Sequence, residues 1–240
     1  MIDRYINNKI NAIWNDQNRF DTWKLIQEKY VETLEELKIA EAGIAKKIRK
    51  AEISKEEVYK QEKVTNHDLA SFVDILQKKV GEGSNWVHYG LTSSDIVDSA
   101  NSLLILQSIE VAQELILNLL KELKLKAIKN KDTKIIGRTH GVYAEETFLG
   151  NIFGNWYLEI KRSLDRLERA KVSIAYGKLS GPVGNHTVVT EEMEKITLEK
   201  LGLKPEIFAS QIVSRDRYAC LLYTSPSPRD KHRSRMPSSA

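Results

Sequence analysis

The stretch from residue 92 to residue 130 constrains the fold more than any other part of the sequence. Thr92-Ser93-Ser94-Asp95 has the form of a capping box, in which a hydroxyl and an acidic side chain satisfy backbone N–H groups at a helix start. Apolar side chains then surround much of the predicted helix, at positions 103–106, 109, 111, 115–117, 119 and 120. Because a helix that is apolar on nearly all sides is buried in a bundle or an oligomer, we expect this helix to belong to a central core.

The residues before this helix also favour helices. The first 80 residues contain one glycine and no proline, and apolar residues recur at steps of three and four between residues 20 and 51. Two pairs, Ser54 with Glu57 and Thr65 with Asp68, are spaced as capping boxes and predict two further helix starts.

Glycine-rich loops separate the later helical segments. Residues 134–141 are expected to form one loop and residues 177–184 another, with a capped helix at residues 190–201. Long helices joined by such loops are typical of an all-α bundle. We therefore expect an N-terminal helical domain, residues 1–93, followed by the first part of a long central helical bundle, residues 94–219.

The formal net charge of +4 lies mostly in the last 21 residues. Residues 220–240 contain four basic side chains and one acidic one, together with three of the five prolines and the only cysteine, Cys220. Their composition predicts disorder. Since the rest of the chain is nearly neutral, the positive charge gives no support to nucleic-acid binding.

The chain has few signs of a membrane or secreted protein. In the body of the chain the longest uninterrupted apolar run, residues 103–106, is far shorter than the ~20 residues that span a bilayer. The N-terminus lacks an apolar signal-peptide region, and a single cysteine excludes an internal disulfide framework. A cytoplasmic protein without a membrane partner is expected.

Three histidines, His67, His88 and His140, lie in polar loops or at helix starts. No two histidines have the spacing that places two ligands on one helix face, and no cysteine lies nearby, so no metal site is predicted. Asp68 and Asp95 are explained equally well as helix-start partners of the threonines three residues before them.

The segment Gly137-Arg-Thr-His-Gly141 favours a binding or catalytic role. Two glycines give a tightly turned, exposed backbone, and they flank a cation, a hydroxyl and an imidazole. These three polar groups destabilise a protein when they are buried without partners.

These motifs together resemble the adenylosuccinate lyase family of the fumarase and aspartase superfamily. The resemblance covers nearly everything before residue 220, with several separate motifs in the same order. They are Met1-Ile-Asp-Arg-Tyr5, Ala12-Ile-Trp14, Thr65-Asn-His-Asp68, His88-Tyr-Gly-Leu-Thr-Ser-Ser-Asp-Ile-Val-Asp98, Gly137-Arg-Thr-His-Gly-Val-Tyr-Ala-Glu145, Gly177-Lys-Leu-Ser-Gly-Pro-Val-Gly184 and residues 211–219.

The resemblance implies a carbon–nitrogen lyase of purine nucleotide biosynthesis. Such an enzyme eliminates fumarate from adenylosuccinate, giving AMP, and from the succinylated carboxamide ribotide SAICAR, giving AICAR. The family is a homotetramer whose active sites combine segments from different subunits. No metal or organic cofactor is implied.

The resemblance also assigns roles to residues by matched position. His140 is expected to be the general acid that protonates the departing nitrogen, because imidazole titrates near working pH. Thr92 and Ser93 would bind a substrate carboxylate at the start of a helix. The complete set of expected substrate-binding residues is Arg4, Tyr5, Asn66, His67, Asp68, His88, Thr92, Ser93 and Gln211.

Two departures from the family pattern affect what is expected. Glu146 stands where the family usually has proline, and a small effect is expected from an acid near a helix start. Family chains continue through a mobile Gly-Ser-Ser-x-Met-Pro loop that supplies the proposed catalytic base, whereas here residues 220–240 resemble translated adapter or vector sequence.

No base is therefore assigned, and little or no turnover is expected from this chain alone. The alternative interpretation is a non-catalytic helical oligomerisation or interaction module, with the long apolar helix as its partner surface.

Overall fold

The computed structural model describes residues 6–219. The helices are α1 (Asn8–Trp14), α2 (Asp16–Glu36), α3 (Ile44–Lys50), α4 (Lys55–Thr65), α5 (Asp68–Val80), α6 (Ser93–Lys129), α7 (Leu149–Ile174) and α8 (Glu191–Lys200), with a 3-10 turn at Ser84–Trp86. The strands are β1 (Lys134–Thr139), β2 (Val142–Phe148), β3 (Tyr176–Gly177) and β4 (Lys204–Pro205). The predicted helical fold class is confirmed. Arg4, Tyr5 and the segment 220–240 lie outside the described residues.

The chain divides into two compact units. The first contains the described residues up to Ser108 together with Ile174–Arg215, and the second contains Ile109–Ser173 with the few described residues after 215. The first unit is thus built from two separate stretches of sequence. The domain boundary expected at residue 93 stays a prediction.

The core of the first unit is built on α2. Phe20, Trp23, Tyr30 and Leu34 are almost completely buried on this helix, because their spacing of three and four places them on one face. Phe72 of α5 packs against them, with its ring 6.1 Å from that of Phe20 and 5.6 Å from that of Trp23. The helices predicted from the periodic pattern between residues 20 and 51 are confirmed as most of α2 and all of α3.

The two predicted capping boxes before residue 80 have different outcomes. Ser54 caps α4 in a complete capping box with Glu57, as predicted. The prediction for Thr65 is wrong, because α4 continues through Thr65 and His67 is the N-cap of α5. The Thr65 hydroxyl instead donates to the carbonyl of His67 at 3.0 Å, so it bridges the two helices.

A β-hairpin in the second unit replaces the loop expected at residues 134–141. Strands β1 and β2 are antiparallel, and Thr139 pairs with Val142. The turn residues His140 and Gly141 both have left-handed backbones, with φ of 52° and 78°. A two-residue hairpin turn with positive φ at both positions matches the twist of the strands. The flanking β-branched residues favour strands, a signal that the glycines obscured.

The burial of apolar side chains changes along helix α6. Its first turns bury Ile96, Ala100 and Leu104 in the first unit. Further along, Leu117 is 55% exposed and Leu125 54% exposed, so the expected burial is not found within the single chain. By length and composition alone α6 is sufficient to cross a membrane, which the count of uninterrupted apolar residues did not predict. Core helices of soluble assemblies have the same composition.

Candidate active site

His67 and Ser93 meet where α5 and α6 begin. The distance between His67 Nε2 and Ser93 Oγ is 3.3 Å. His67 Nδ1 accepts the Ala70 N–H at 3.4 Å, which in the neutral ring places the hydrogen on Nε2, facing Ser93. The carboxylate of Asp68 lies 3.4 Å from Nδ1. Two of the expected substrate-binding residues are therefore in direct contact, with a third beside them.

Ser93 is the first residue of α6, and Thr92 immediately precedes it. Both are half-buried, and the Thr92 N–H donates to Asp95 Oδ2 at 2.8 Å. Asp95 is therefore a helix-start partner of Thr92, which is one of the two interpretations considered above. Unpaired N–H groups and the helix dipole make such a start favourable for an anion.

A buried ion pair lies beneath the start of α6. The side chains of Asp95 and Lys178 are fully buried and form a salt bridge. Asp95 also accepts backbone N–H groups of Ser180 and Gly181, at 3.3 and 3.2 Å. Burial raises the pKa of the Asp95 carboxyl, and its hydrogen bond to Lys178 opposes that rise. The pair ties the glycine-rich loop at residues 177–184 to the helix start that carries Thr92.

That loop is held tightly by the rest of the first unit. Glu194 of α8 accepts the Leu179 N–H at 2.7 Å. At Gly184, where φ is 75°, an added Cβ would lie 2.0 Å from the carbonyl oxygen of Ala209. Only glycine fits this close backbone contact.

His88 is held by a buried glutamine of α2. Gln27 Nε2 lies 2.8 Å from His88 Nδ1, and Gln27 Oε1 accepts the backbone N–H of His88 at 3.0 Å. Burial, together with the nearby charge of His67, lowers the pKa of His88 to about 4. His88 is therefore neutral at physiological pH.

His140 lies at the tip of the β-hairpin, in the second unit, whereas His67, His88 and Ser93 lie in the first. Its side chain is exposed. Beside it, the Arg138 guanidinium lies 4.8 Å from the centre of the Tyr143 ring. The hairpin therefore presents the imidazole and a cation on an ordered support.

Three of the five non-glycine residues with left-handed backbones among residues 6–219 are candidate site residues. Asn66, His88 and His140 have φ of 52°, 65° and 52°, a conformation uncommon outside glycine. Such strain often occurs at functional sites. Gln211 is exposed in the first unit, and the expected roles of all these residues stay predictions.

Sequence reasoning missed two residues that support the site, Gln27 and Lys178. Gln27 continues the apolar face of α2 at helical spacing from Trp23 and Tyr30, so a polar residue on that face was the available signal. Lys178 stands in the glycine-rich motif, but its partner Asp95 is 83 residues away in sequence. Among residues 6–219 no group of three or more histidine, cysteine or acidic side chains is gathered closely enough to hold a metal ion.

Comparison with known proteins defines the class to which this fold and site belong. The model of a family described as Lyase matches residues 7–225, and the chain therefore belongs to this lyase family. The adenylosuccinate lyase of Thermotoga maritima is 40% identical over 225 residues, which cover 93% of this chain and 52% of that protein. The adenylosuccinate lyase of Aquifex aeolicus is 39% identical over 228 residues, with the same two shares. The chain thus spans about half the length of the curated relatives it matches.

Solved structures support the fold. A fumarate lyase from Mesorhizobium sp. BNC1 superposes with a TM-score of 0.84 at 20% identity, over 91% of this chain and 53% of that one. At this level of identity the likeness concerns the fold alone.

Proposed function

We propose that this chain carries part of the active site of an adenylosuccinate lyase. The reaction is elimination of fumarate from adenylosuccinate, giving AMP, and from SAICAR, giving AICAR, in purine nucleotide biosynthesis. The contact of His67 with Ser93 carries the proposal, because it places an imidazole at a helix start suited to a carboxylate. The names of the relatives supply the substrate class.

The elimination requires a base, an acid and an anion site. A base removes a proton from the carbon next to the C–N bond, the electron pair forms the double bond of fumarate, and the C–N bond breaks. His140 protonates the departing nitrogen, for which an imidazole is suited near neutral pH. No residue is assigned as the base, so little or no turnover is expected from the chain alone.

The remaining expected residues bind substrate. Thr92 and Ser93 bind a carboxylate, His67 and His88 orient the substrate, and the other proposed contacts come from Arg4, Tyr5, Asn66, Asp68 and Gln211. The enzyme acts in the cytoplasm as a homotetramer, in which other subunits cover the exposed apolar side chains of α6.

Calorimetric titration with adenylosuccinate tests the binding part of the proposal. We expect the chain to bind it, and Ser93→Ala to weaken the affinity about 10-fold or more, because a hydrogen bond to a charged group contributes about 1.5–3 kcal/mol. Ser54→Ala is the matched control, since Ser54 caps a different helix. Absence of binding, or equal losses in the two variants, would contradict the proposal.

A chimera tests the chemistry. Residues 1–219 would replace the matching half of the Thermotoga maritima relative, and fumarate formation would be followed. We expect turnover, with His140→Asn lowering kcat about 100-fold or more while binding changes little. An active chimera with unchanged kcat in that variant would remove the acid role of His140.

The exposed apolar side chains of α6 favour a second candidate, a helical oligomerisation module. In that case the chain would self-associate in sedimentation experiments without binding adenylosuccinate. Binding that depends on Ser93 would reject this candidate.

A further inference from the structure

Gln27 is a polar side chain on the apolar face of α2. It is fully buried on α2, on the same face as Trp23 and Tyr30. Burying an amide is unfavourable unless its donors and acceptors are satisfied. Both known partners of Gln27 belong to a single residue, His88, which is 61 positions away in sequence.

The backbone contact fixes the orientation of the Gln27 amide. A backbone N–H group can only donate, so the amide atom that faces the His88 N–H at 3.0 Å must be the carbonyl oxygen. The other amide atom, which faces the ring at 2.8 Å, is therefore the NH2 group. Because that group can only donate, His88 Nδ1 must be the acceptor, and in a neutral ring the hydrogen lies on Nε2.

We propose that Gln27 is a positioning residue that holds His88 as the neutral tautomer with its hydrogen on Nε2, so that His88 meets the substrate as a hydrogen-bond donor. The role toward substrate rests on the function proposed above. The tautomer itself does not, because it follows from contacts within the first unit.

The backbone around His88 is anchored separately, which keeps the ring in place for this contact. Tyr30, one turn after Gln27 on α2, donates its hydroxyl to the Tyr89 carbonyl at 2.8 Å. Gln77 of α5 donates to the Val87 carbonyl at 3.3 Å. The left-handed backbone of His88 is thus supported from two helices.

The contact between Gln27 and His88 gives His88 a different role from the other histidines. Protonation of Nδ1 would place two donors against each other at 2.8 Å, so the Gln27 amide disfavours imidazolium, as do burial and the neighbouring His67. A ring held neutral with Nε2–H can donate to a substrate oxygen but is a poor proton carrier. This assigns His88 to substrate orientation and leaves acid chemistry to other groups.

Nitrogen NMR of the full 240-residue chain tests the tautomer directly. With 15N-labelled histidine, long-range proton–nitrogen correlations identify which ring nitrogen carries hydrogen, and the His88 signals are assigned by their loss in His88→Asn. We expect hydrogen on Nε2 and an unprotonated Nδ1 throughout pH 5–8. A wild-type spectrum with hydrogen on Nδ1, or with both nitrogens protonated at pH 6, would overturn the proposal.

The variant Gln27→Glu tests whether Gln27 determines the tautomer of His88. Its carboxylate keeps an acceptor for the His88 N–H but presents an acceptor to Nδ1, so hydrogen should move to Nδ1 and the His88 pKa should rise by about 1–3 units. Gln17→Glu is the matched control, because it makes the same change on α2 at an amide that is bonded to Ile53 and Lys55 instead of His88. If Gln27→Glu leaves the tautomer unchanged, or if Gln17→Glu changes it equally, Gln27 is not the positioning residue. This result is independent of whether adenylosuccinate binds.

Discussion

The two compact units differ in how they bury their largest apolar side chains. In the first, Phe20, Trp23 and Phe72 are buried to 2% exposure or less, and even the charged pair of Asp95 and Lys178 is sealed from solvent. In the second, Leu117 and Trp156 are about half exposed. The first unit therefore derives its stability from internal contacts. The exposed apolar residues of the second contribute little until another surface covers them.

The largest expected effect comes from breaking the buried ion pair. Lys178→Met leaves the Asp95 carboxylate buried without its cation, and should lower the free energy of unfolding by about 3–5 kcal/mol. Urea unfolding followed by tryptophan fluorescence measures this loss. Lys134→Met removes an exposed pair with Glu146 in the second unit, and should change stability by about 1 kcal/mol or less. Equal losses would remove the contrast between the units.

The same leucine substitution should have unequal effects in the two units. Leu34 is fully buried and Leu117 is 55% exposed. Leu34→Ala should lower the free energy of unfolding by about 2–5 kcal/mol, whereas Leu117→Ala should change it by at most about 0.5 kcal/mol. Both are measured by urea unfolding at low protein concentration. A large loss for Leu117→Ala would show that its face is already covered.

Acid should destabilise the first unit through His88. Its pKa is about 4 in the folded chain, against an ordinary 6.5, so only the unfolded chain takes up a proton at His88 between these values. Stability should therefore fall by up to about 3 kcal/mol as the pH drops from 6.5 to 4. His88→Asn, which tolerates the left-handed backbone, should lack this loss, whereas His140→Asn retains His88 and should show it. Urea unfolding across this pH range measures both.

The smallest expected effect concerns the hairpin tip. His140 is exposed with φ of 52°, a conformation that asparagine also adopts. His140→Asn should therefore change the free energy of unfolding, measured by thermal denaturation, by at most about 0.5 kcal/mol. The β-branched variant His140→Val should lower the free energy of unfolding by about 1–2 kcal/mol more than His140→Asn does. A large loss in the asparagine variant would mean that His140 has a structural role in the second unit.

Local patterns predicted the helices well, because periodicity and capping act over a few residues. Ser54 and the start of α6 lie where their spacing indicated. The helix start predicted at Thr65 is wrong because the left-handed Asn66 ends one helix and His67 caps the next. The hairpin was missed because Gly137 and Gly141 favour a loop, whereas pairing with β2 decides the outcome.

The candidate site was only partly predictable for a different reason. The motifs around His67, His88 and Ser93 are visible in the sequence, but the groups that hold them are not adjacent to them. Gln27 and His88 are separated by 61 positions, and Lys178 and Asp95 by 83. Long-range contacts of this kind depend on the packed fold and leave no local periodic signal.

The discontinuous first unit sets an order of assembly during synthesis. Asp98 accepts the backbone N–H of Val213 at 2.9 Å, and Thr197 of α8 donates to Thr33 of α2 at 3.0 Å. The first unit therefore cannot complete its fold until α8 and residue 213 have left the ribosome. At about 5–20 residues per second, the hundred or so residues after Ser108 take on the order of 5–20 s to emerge. During that interval the apolar side chain of Ile96 lacks the later members of its core cluster, among them Leu179 and Leu198.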